Sequence, residues 1–266
     1  MAALDVTIAD DIANVTLVRG EVHNAFDDAL IADLTAAFHD VGANPSVRVV
    51  ILAAEGKSFS AGADLNWMRR MAGYSEAENV ADAKALAGLM QTIDTCPKPT
   101  IARVQGAAFG GGVGLVACCD IAVASDRASF CLSEVKLGIV PAVISPYIVR
   151  AIGPRAARRY VQTAERFGAV EAHRLGLVHE VAAEDALDAV IGGIVDALRQ
   201  GGPEAQREAK LLVALVADRD PAEVLDETAR RIAVIRAGAE GQEGLTAFLE
   251  KRPPVWVRAG DRRTRG

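Results

Sequence analysis

Two short stretches carry the residues best suited to chemistry. In Gln105-Gly106-Ala107-Ala108-Phe109-Gly110-Gly111-Gly112-Val113-Gly114, four of the last five residues are glycine. Such a run buries almost no side-chain surface, and each glycine loses more backbone freedom on folding than any other residue. That cost makes sense where something must approach the main chain closely, or where amide N–H groups must point at a ligand. The second stretch, Phe59-Ser60-Ala61-Gly62-Ala63-Asp64-Leu65, has the same character: small residues, then an acid. Strand-to-helix turns leave N–H groups unpaired, and the helix dipole adds partial positive charge there. Ala63 and Gly111 are the natural donors of the two turns. A carbonyl oxygen held between them would be polarised, and negative charge developing on it would be stabilised. The alternative is two tight turns that serve close packing alone.

Glu134 is the candidate acid–base. Its neighbours include Phe130, Leu132, Val135, Leu137 and Ile139. A carboxylate in apolar surroundings has a raised pKa and can exchange protons near neutral pH. Against this stands an exposed Glu134 that merely faces Lys136. Other chemistries fit poorly. Gly112-Val113-Gly114-Leu115-Val116-Ala117 matches the dinucleotide fingerprint in letters, with Glu134 twenty positions beyond Gly114. Too few residues separate Gly114 from the strand expected at Ile121 for a crossover helix, and the acid falls beyond that strand. The chain has neither a G-x-x-x-x-G-K-[ST] phosphate loop nor a G-x-S-x-G nucleophile elbow. His23, His39, His173 and His179 lack metal-ligand spacing, and Cys96, Cys118, Cys119 and Cys131 lack a C-x-x-C pair. Buried reduced thiols and no metal are expected.

The elements that must position these residues follow from periodicity and turn signals. Residues 6–18 read as two strands around Asp10-Asp11. Asn24 is placed as a helix N-cap, with Asp27 and Asp28 in the first turn. Leu30, Ile31, Leu34, Phe38 and Val41 follow at helical spacing, and residues 42–45 end that helix. Residues 47–54 form a strand apolar enough to be buried on both faces, leading to the turn at 60–64. A helix is expected at 77–95, a strand at 100–105, a short helix at 113–118, a strand at 120–125 and an extended segment or turn at 130–135. Only helices are expected beyond Pro141: 141–153, 156–163, 169–175, 184–200, 204–217, 221–237 and 243–250. Gly201-Gly202 is the best break, with Pro203 suited to a first helical position. This divides the chain into an α/β core with the active site, 1–200, and a helical oligomerisation region, 201–266. Leu211, Leu212, Leu215, Val224, Ile232 and Ile235 make the second piece amphipathic, so it must bury them against the core or another subunit.

Composition sets outer bounds. A chain of 266 residues, 51 % hydrophobic and 24 % charged, can bury a sizeable core. Aromatics are only 5 %, so backbones should pack closely. A net charge of −6 gives no electrostatic reason to expect nucleic acid or an anionic membrane as partner, although residues 251–263 are basic. The first residues carry no signal-peptide pattern, and the uncharged run between Arg103 and Asp120 is too short and glycine-rich to span a bilayer. A cytoplasmic protein is expected.

Taken in order, these motifs resemble the enoyl-CoA hydratase/isomerase (crotonase) superfamily. The resemblance rests on His23-Asn24-Ala25-Phe26, residues 59–65 and 106–114, Cys119-Asp120-Ile121-Ala122-Val123-Ala124, Glu134-Val135-Lys136-Leu137-Gly138 and residues 243–256. It implies an α/β spiral of ββα units with a C-terminal helical region that builds homotrimers, often paired as hexamers. It implies an acyl-CoA thioester as partner, its carbonyl held by the amides matching Ala63 and Gly111, with coenzyme A as part of the substrate and no tightly bound cofactor. The family's adenine pocket maps to backbone around Ala61, Ala63, Asp64 and Leu65, with Val22 and His23 alongside. Phe248 and Lys251 match C-terminal positions that touch coenzyme A from a neighbouring subunit.

One departure stands out. Typical hydratases of this family place two glutamates around the attacking water; the second matches Glu134, but the first position is Gly114. Members with the second glutamate alone include isomerases and some hydratases. Three readings follow: a hydratase whose water sits where Gly114 leaves room, an isomerase shuttling one proton between C2 and C4, and a non-catalytic acyl-CoA-binding protein. The finer pattern, residues 62–68, 106–111 and 131–147, resembles bacterial methylglutaconyl-CoA hydratases of leucine breakdown and the isohexenylglutaconyl-CoA hydratases of terpene breakdown. Both substrates carry a second carboxylate, for which Arg69, Arg70, Lys84 and Arg150 are candidate partners. Trp67, Met68, Met71, Leu86, Met90, Val140 and Ile144 could line the acyl tunnel, although ordinary core packing would also explain them.

Overall fold

The computed structural model describes residues 3–258. Met1 and Ala2, and Arg262 and Arg263 of the basic C-terminal segment, lie outside them. Two strands, β1 (Leu4–Ala9) and β2 (Ile12–Leu17), form the expected antiparallel hairpin. Its turn residues, Asp10 and Asp11, have φ of 49° and 65°. Two consecutive left-handed residues give the turn that matches strand twist, and aspartate tolerates that region.

A 3-10 turn, Gly20–Val22, leads towards α1 (Asp28–Ala43). The helix is capped by Asp27, whose carboxylate accepts from the Leu30 N–H, and not by Asn24 as expected. A cap needs extended backbone, whereas Asn24 is left-handed with φ 51°. It is fully buried and links three main-chain groups instead. Its side-chain oxygen accepts from the Arg19 N–H (2.9 Å), and its amide donates to the carbonyls of Glu55 (2.8 Å) and Ser58 (2.9 Å).

The chain then winds as repeated β–β–helix units: β3 (Val49–Ala54), β4 (Ser58–Ser60), α2 (Leu65–Met71) and α3 (Glu76–Asp94); β5 (Thr100–Val104), β6 (Ala107–Phe109) and α4 (Gly111–Cys118); β7 (Ile121–Ser125), β8 (Ser129–Cys131), a 3-10 turn (Glu134–Leu137) and α5 (Ser145–Thr163). The first strand of each unit joins one sheet and the second joins another. The six-stranded sheet runs β1-β2-β3-β5-β7 and ends on β10 (Glu180–Ala182); the four-stranded sheet runs β4-β6-β8 and ends on β9 (Phe167–Gly168). Apart from the β1–β2 and β8–β9 pairs, all neighbours are parallel. Leu17, Leu34, Phe38, Leu52, Phe59, Leu89, Met90 and Ile93 share one core.

Several expectations need correcting. The helix α2, capped by Asp64, was not anticipated, and the strands β9 and β10 interrupt a half expected to be helical throughout. These pieces are too short for periodicity to show. The helices expected at 141–153 and 156–163 are one stretch, α5, kinked at Gly153 (φ 73°) just before Pro154. α6 (Ala169–Leu175) and α7 (Leu187–Gln200) follow.

The chain divides into two compact units, Met1–Ile191 and Gly192–Gly266, with the boundary inside α7. The second unit carries α8 (Pro203–Val216), α9 (Pro221–Ala237) and α10 (Ala239–Leu249), the last beginning a turn earlier than expected. Glu240 accepts from the N–H groups of Glu204 and Ala205 at the start of α8, and Arg252 grips Glu243 with two nitrogens. Of its apolar residues, Val224 is buried, Leu212, Leu215 and Ile235 are half-buried, and Leu211 and Ile232 are exposed. No helix of the described residues is long and apolar enough to cross a membrane.

Asn24→Ala strands buried main-chain groups on both sides of its loop. It should lower stability by about 3 kcal/mol, read from the urea midpoint; a loss under about 1 kcal/mol would show that the loop does not depend on it.

Candidate active site

Strands β4, β6 and β8 lie side by side and parallel, so their C-terminal ends open on one edge of the small sheet. That edge is where turns and helix N-termini of such sheets collect and where ligands bind. Three turns leave it: Gly62–Asp64 into α2, Gly110–Gly111 into α4, and Ser133–Glu134 into the 3-10 turn. Ala63, Gly111 and Glu134 thus leave neighbouring strands at the same end.

Each donor residue follows a left-handed glycine. Gly62 has φ 86°, and Gly110 has φ 50° with ψ −124°, conformations that a side chain would strain. The two turns touch: a Cβ on Gly62 would lie 2.9 Å from the Phe109 carbonyl oxygen. Phe26 donates its N–H to the Gly62 carbonyl (2.8 Å) and accepts from the Asp64 N–H (2.9 Å). This parallel bridge uses the groups on either side of Ala63. The Ala63 N–H points away from it and meets no acceptor among the described residues. Gly111 is the first residue of α4, so its N–H has no acceptor within the helix. The preceding N–H, of Gly110, goes to the Cys131 carbonyl (2.8 Å) and ties this turn to the end of β8.

Glu134 rests on the same turn: a Cβ on Gly110 would lie 3.1 Å from its Oε1. Its Oε2 is buried and has no hydrogen-bond partner among the described residues. Burial pushes its pKa above the ordinary glutamate value, against the smaller pull of its own backbone N–H. The alternative pairing with Lys136 does not form, because the Lys136 ammonium donates to the Ala164 carbonyl (2.7 Å) at the end of α5. Asp64 has a structural role: its Oδ1 caps α2 through the N–H groups of Asn66 (2.7 Å) and Trp67 (3.2 Å), and its Oδ2 faces Arg19 (3.4 Å).

Gly114 does not leave room for a water, as had been expected. A Cβ there would lie 2.2 Å from Ile144 Cγ2 and 3.3 Å from Met90 Cε. Ile144, just ahead of α5, packs directly on the backbone of α4, and glycine is the residue that permits this. The side of the helix where a first glutamate would project is apolar and closed.

The remaining expected residues are placed as follows. The His23 carbonyl accepts from the Ala61 N–H (2.9 Å), which sets Val22 and His23 beside residues 61–65. The N–H groups of Ala61 and Asp64 are therefore already bonded within the chain, and Leu65 is exposed. Phe248 and Lys251 belong to the second compact unit; Phe248 is 72 % exposed at the end of α10. Trp67, Met90 and Ile144 are buried, Met68, Met71 and Leu86 half-buried, and Val140 exposed. Arg70 pairs with Asp28, Arg150 with Asp94, and Arg69 donates to the Asn66 side-chain oxygen. Two residues had been given no role. Arg19 bonds the Ala25 carbonyl and Asp27 as well as Asp64. Phe26 holds the Ala63 turn. In the sequence it stands only within the His23-Asn24-Ala25-Phe26 motif.

The family model for enoyl-CoA hydratase/isomerase matches residues 7–259. The chain belongs to the enoyl-CoA hydratase/isomerase family. It is 40 % identical over 238 residues to the enoyl-CoA hydratase ACTT6 of Alternaria alternata, covering 88 % of this chain and 77 % of that one. It is 31 % identical over 250 residues to the crotonyl-CoA hydratase of Syntrophomonas wolfei, covering 93 % and 95 %. The crystal structure of an enoyl-CoA hydratase from Shewanella pealeana superposes with a TM-score of 0.93 at 49 % identity, covering 96 % of each chain. The crotonase fold, with its C-terminal helices, and the enzyme class, a hydratase-type lyase, are therefore as expected. The non-catalytic reading is set aside.

In this family member the contact at Gly114 is testable by sign. Helix propensity alone would make Gly114→Ala stabilising by about 1 kcal/mol. The Ile144 contact predicts destabilisation of about 1–3 kcal/mol, largely recovered when Ile144→Ala is added. Denaturant unfolding of the single and double variants decides, and a stabilised Gly114→Ala would refute the contact.

Proposed function

We propose that this enzyme adds water reversibly across the C2–C3 double bond of a 2-enoyl-CoA. The substrate is 3-methylglutaconyl-CoA of leucine degradation or a related isoprenoid glutaconyl-CoA. The observation that carries the reading is the buried Oε2 of Glu134, beside turns that present two N–H groups, all three without a partner among the described residues.

The Ala63 and Gly111 N–H groups take the thioester oxygen. Glu134, as carboxylate, draws a proton from water while the water oxygen bonds to C3. The C2–C3 π electrons move towards the carbonyl, and the thioester oxygen gains the negative charge that the two donors hold. Glu134 returns the proton to C2, the enolate collapses, and 3-hydroxyacyl-CoA results. One carboxyl serves both proton steps, and a pKa raised towards neutrality suits both. Coenzyme A enters as part of the substrate, with its adenine near residues 61–65 and 22–23. Phe248 and Lys251 of a neighbouring subunit complete the site in a homotrimer or a dimer of trimers. Exposed Phe248, Leu249 and Val255 on the second unit support such a contact. For a distal carboxylate, of the four candidates Arg70 and Arg150 are already paired with aspartates and Arg69 bonds Asn66, which leaves exposed Lys84.

A second reading, a Δ-isomerase, is favoured by one feature. Ile144 and Met90 close the Gly114 side, so a single carboxyl is left to move a proton between C2 and C4. Turnover of a thioester panel in ¹⁸O-water separates the two, because hydration labels the product and isomerisation does not.

Glu134→Gln should reduce turnover by at least about 100-fold, and unchanged turnover would refute the mechanism. The wild-type enzyme should lose hydration activity as pH falls towards a value above the ordinary 4.5, where Glu134 becomes protonated. A raised folded-state pKa contributes stability that is present below the unfolded value and lost as pH rises through the folded one. Glu134→Gln should therefore melt no lower than wild type at neutral pH; a lower melting temperature would contradict the unpaired, desolvated carboxylate.

A further inference from the structure

We propose that Phe26 is a positioning residue that sets the gap between the Ala63 and Gly111 amides; this rests on reading those amides as the thioester-oxygen site. Phe26 touches both turns at once. Its main chain forms the bridge that aims Ala63, through Gly62 and Asp64. Its ring points end-on at Gly111: a Cβ there would lie 2.2 Å from Cζ, 3.1 Å from Cε2 and 3.2 Å from Cε1. The phenyl ring thus spans from the peptide that holds one donor to the α-carbon of the other. Residue 111 must be glycine because the ring occupies the place of its side chain.

The ring cannot yield easily. It is 1 % exposed and tilted against Trp67 at 6.3 Å between centroids. Trp67 is itself fixed by its indole N–H donating to Asp82 (3.1 Å). The residues on either side are held by Arg19, which bonds the Ala25 carbonyl (3.1 Å) and the Asp27 carboxylate (3.0 Å). Asp27 in turn caps α1. A shorter side chain at position 26 keeps the main-chain bridge to Ala63 but removes the stop on which the Gly111 turn rests. One donor stays aimed while the other relaxes. Loss of one such donor costs about 10²–10³ in rate, so partial misplacement should cost less.

The probe is 4-(dimethylamino)cinnamoyl-CoA, a push–pull enoyl thioester whose absorption moves to the red when its carbonyl is polarised. The full-length enzyme and its Phe26→Leu, Phe26→Ala and Glu134→Gln variants are titrated with it, and kcat and KM are measured with the thioester of the panel that wild type turns over fastest. Wild type and Glu134→Gln should show the full red shift. Phe26→Leu should bind the probe within about threefold of wild type yet lose much of the shift, with kcat down about 10-fold and KM little changed. Phe26→Ala should show the same pattern more strongly; should it fail to fold, Phe26→Leu decides. Full red shift and near-wild-type kcat in Phe26→Leu would overturn the proposal. So would loss of probe binding in that variant, which marks a merely structural role. Wild type that binds the probe with no red shift would instead sink the reading of Ala63 and Gly111 themselves.

Discussion

Two peptide N–H groups can grip one oxygen only if neither peptide plane is free to rotate. On the proposed reading, that constraint falls on two turns of the first compact unit. The planes ahead of Ala63 and Gly111 are set by glycines in conformations that other residues avoid, Gly62 and Gly110. The turns are then locked by main-chain bonds to partners distant in sequence: Phe26 for one, Cys131 for the other. Three parallel strands of three residues each suffice to bring the turns together, because each continues a unit whose longer strand is anchored in the six-stranded sheet.

The electrostatics follow the same economy. Asp64 caps α2 and Asp27 caps α1, and Arg19 neutralises both. Asp27 shows the balance: burial would raise its pKa, but the Leu30 N–H and Arg19 outweigh it and hold the carboxyl low. Glu134 has no such compensation, so its charge is disfavoured. An unpaired buried carboxylate is a liability for stability, and such liabilities cluster where protons must move.

On the proposed mechanism, the closed wall at Gly114 leaves proton transfer to Glu134. With Ile144 against the helix backbone, a glutamate at position 114 could not be placed without rearranging α4 or the start of α5. A single acid–base beside a two-donor site is compatible with both hydration and double-bond migration. What differs is whether a water or another substrate carbon lies within its reach.

The sequence by itself determined the parts that local rules govern. Asp10-Asp11 marked a hairpin because few residues accept two left-handed positions; the periodicity of Leu30, Ile31, Leu34, Phe38 and Val41 marked α1; and the glycine runs marked where backbone, rather than side chain, would act. The tertiary structure decided the rest. Asn24 looked like a cap, but burial between the ends of two loops made it a linker. The strands β9 and β10 were too short to show a period, and it is their pairing with β8 and β7 that makes them strands. Gly114 looked like empty space because a glycine says nothing of what faces it, and Ile144, thirty positions away, fills that space. Phe26 took no role of its own from the sequence, because its contacts with Ala63 and with Gly111 exist only once the turns share one sheet edge. Local chemistry names the groups that can act; the distances between them arise from contacts across the fold, which no short window of sequence contains.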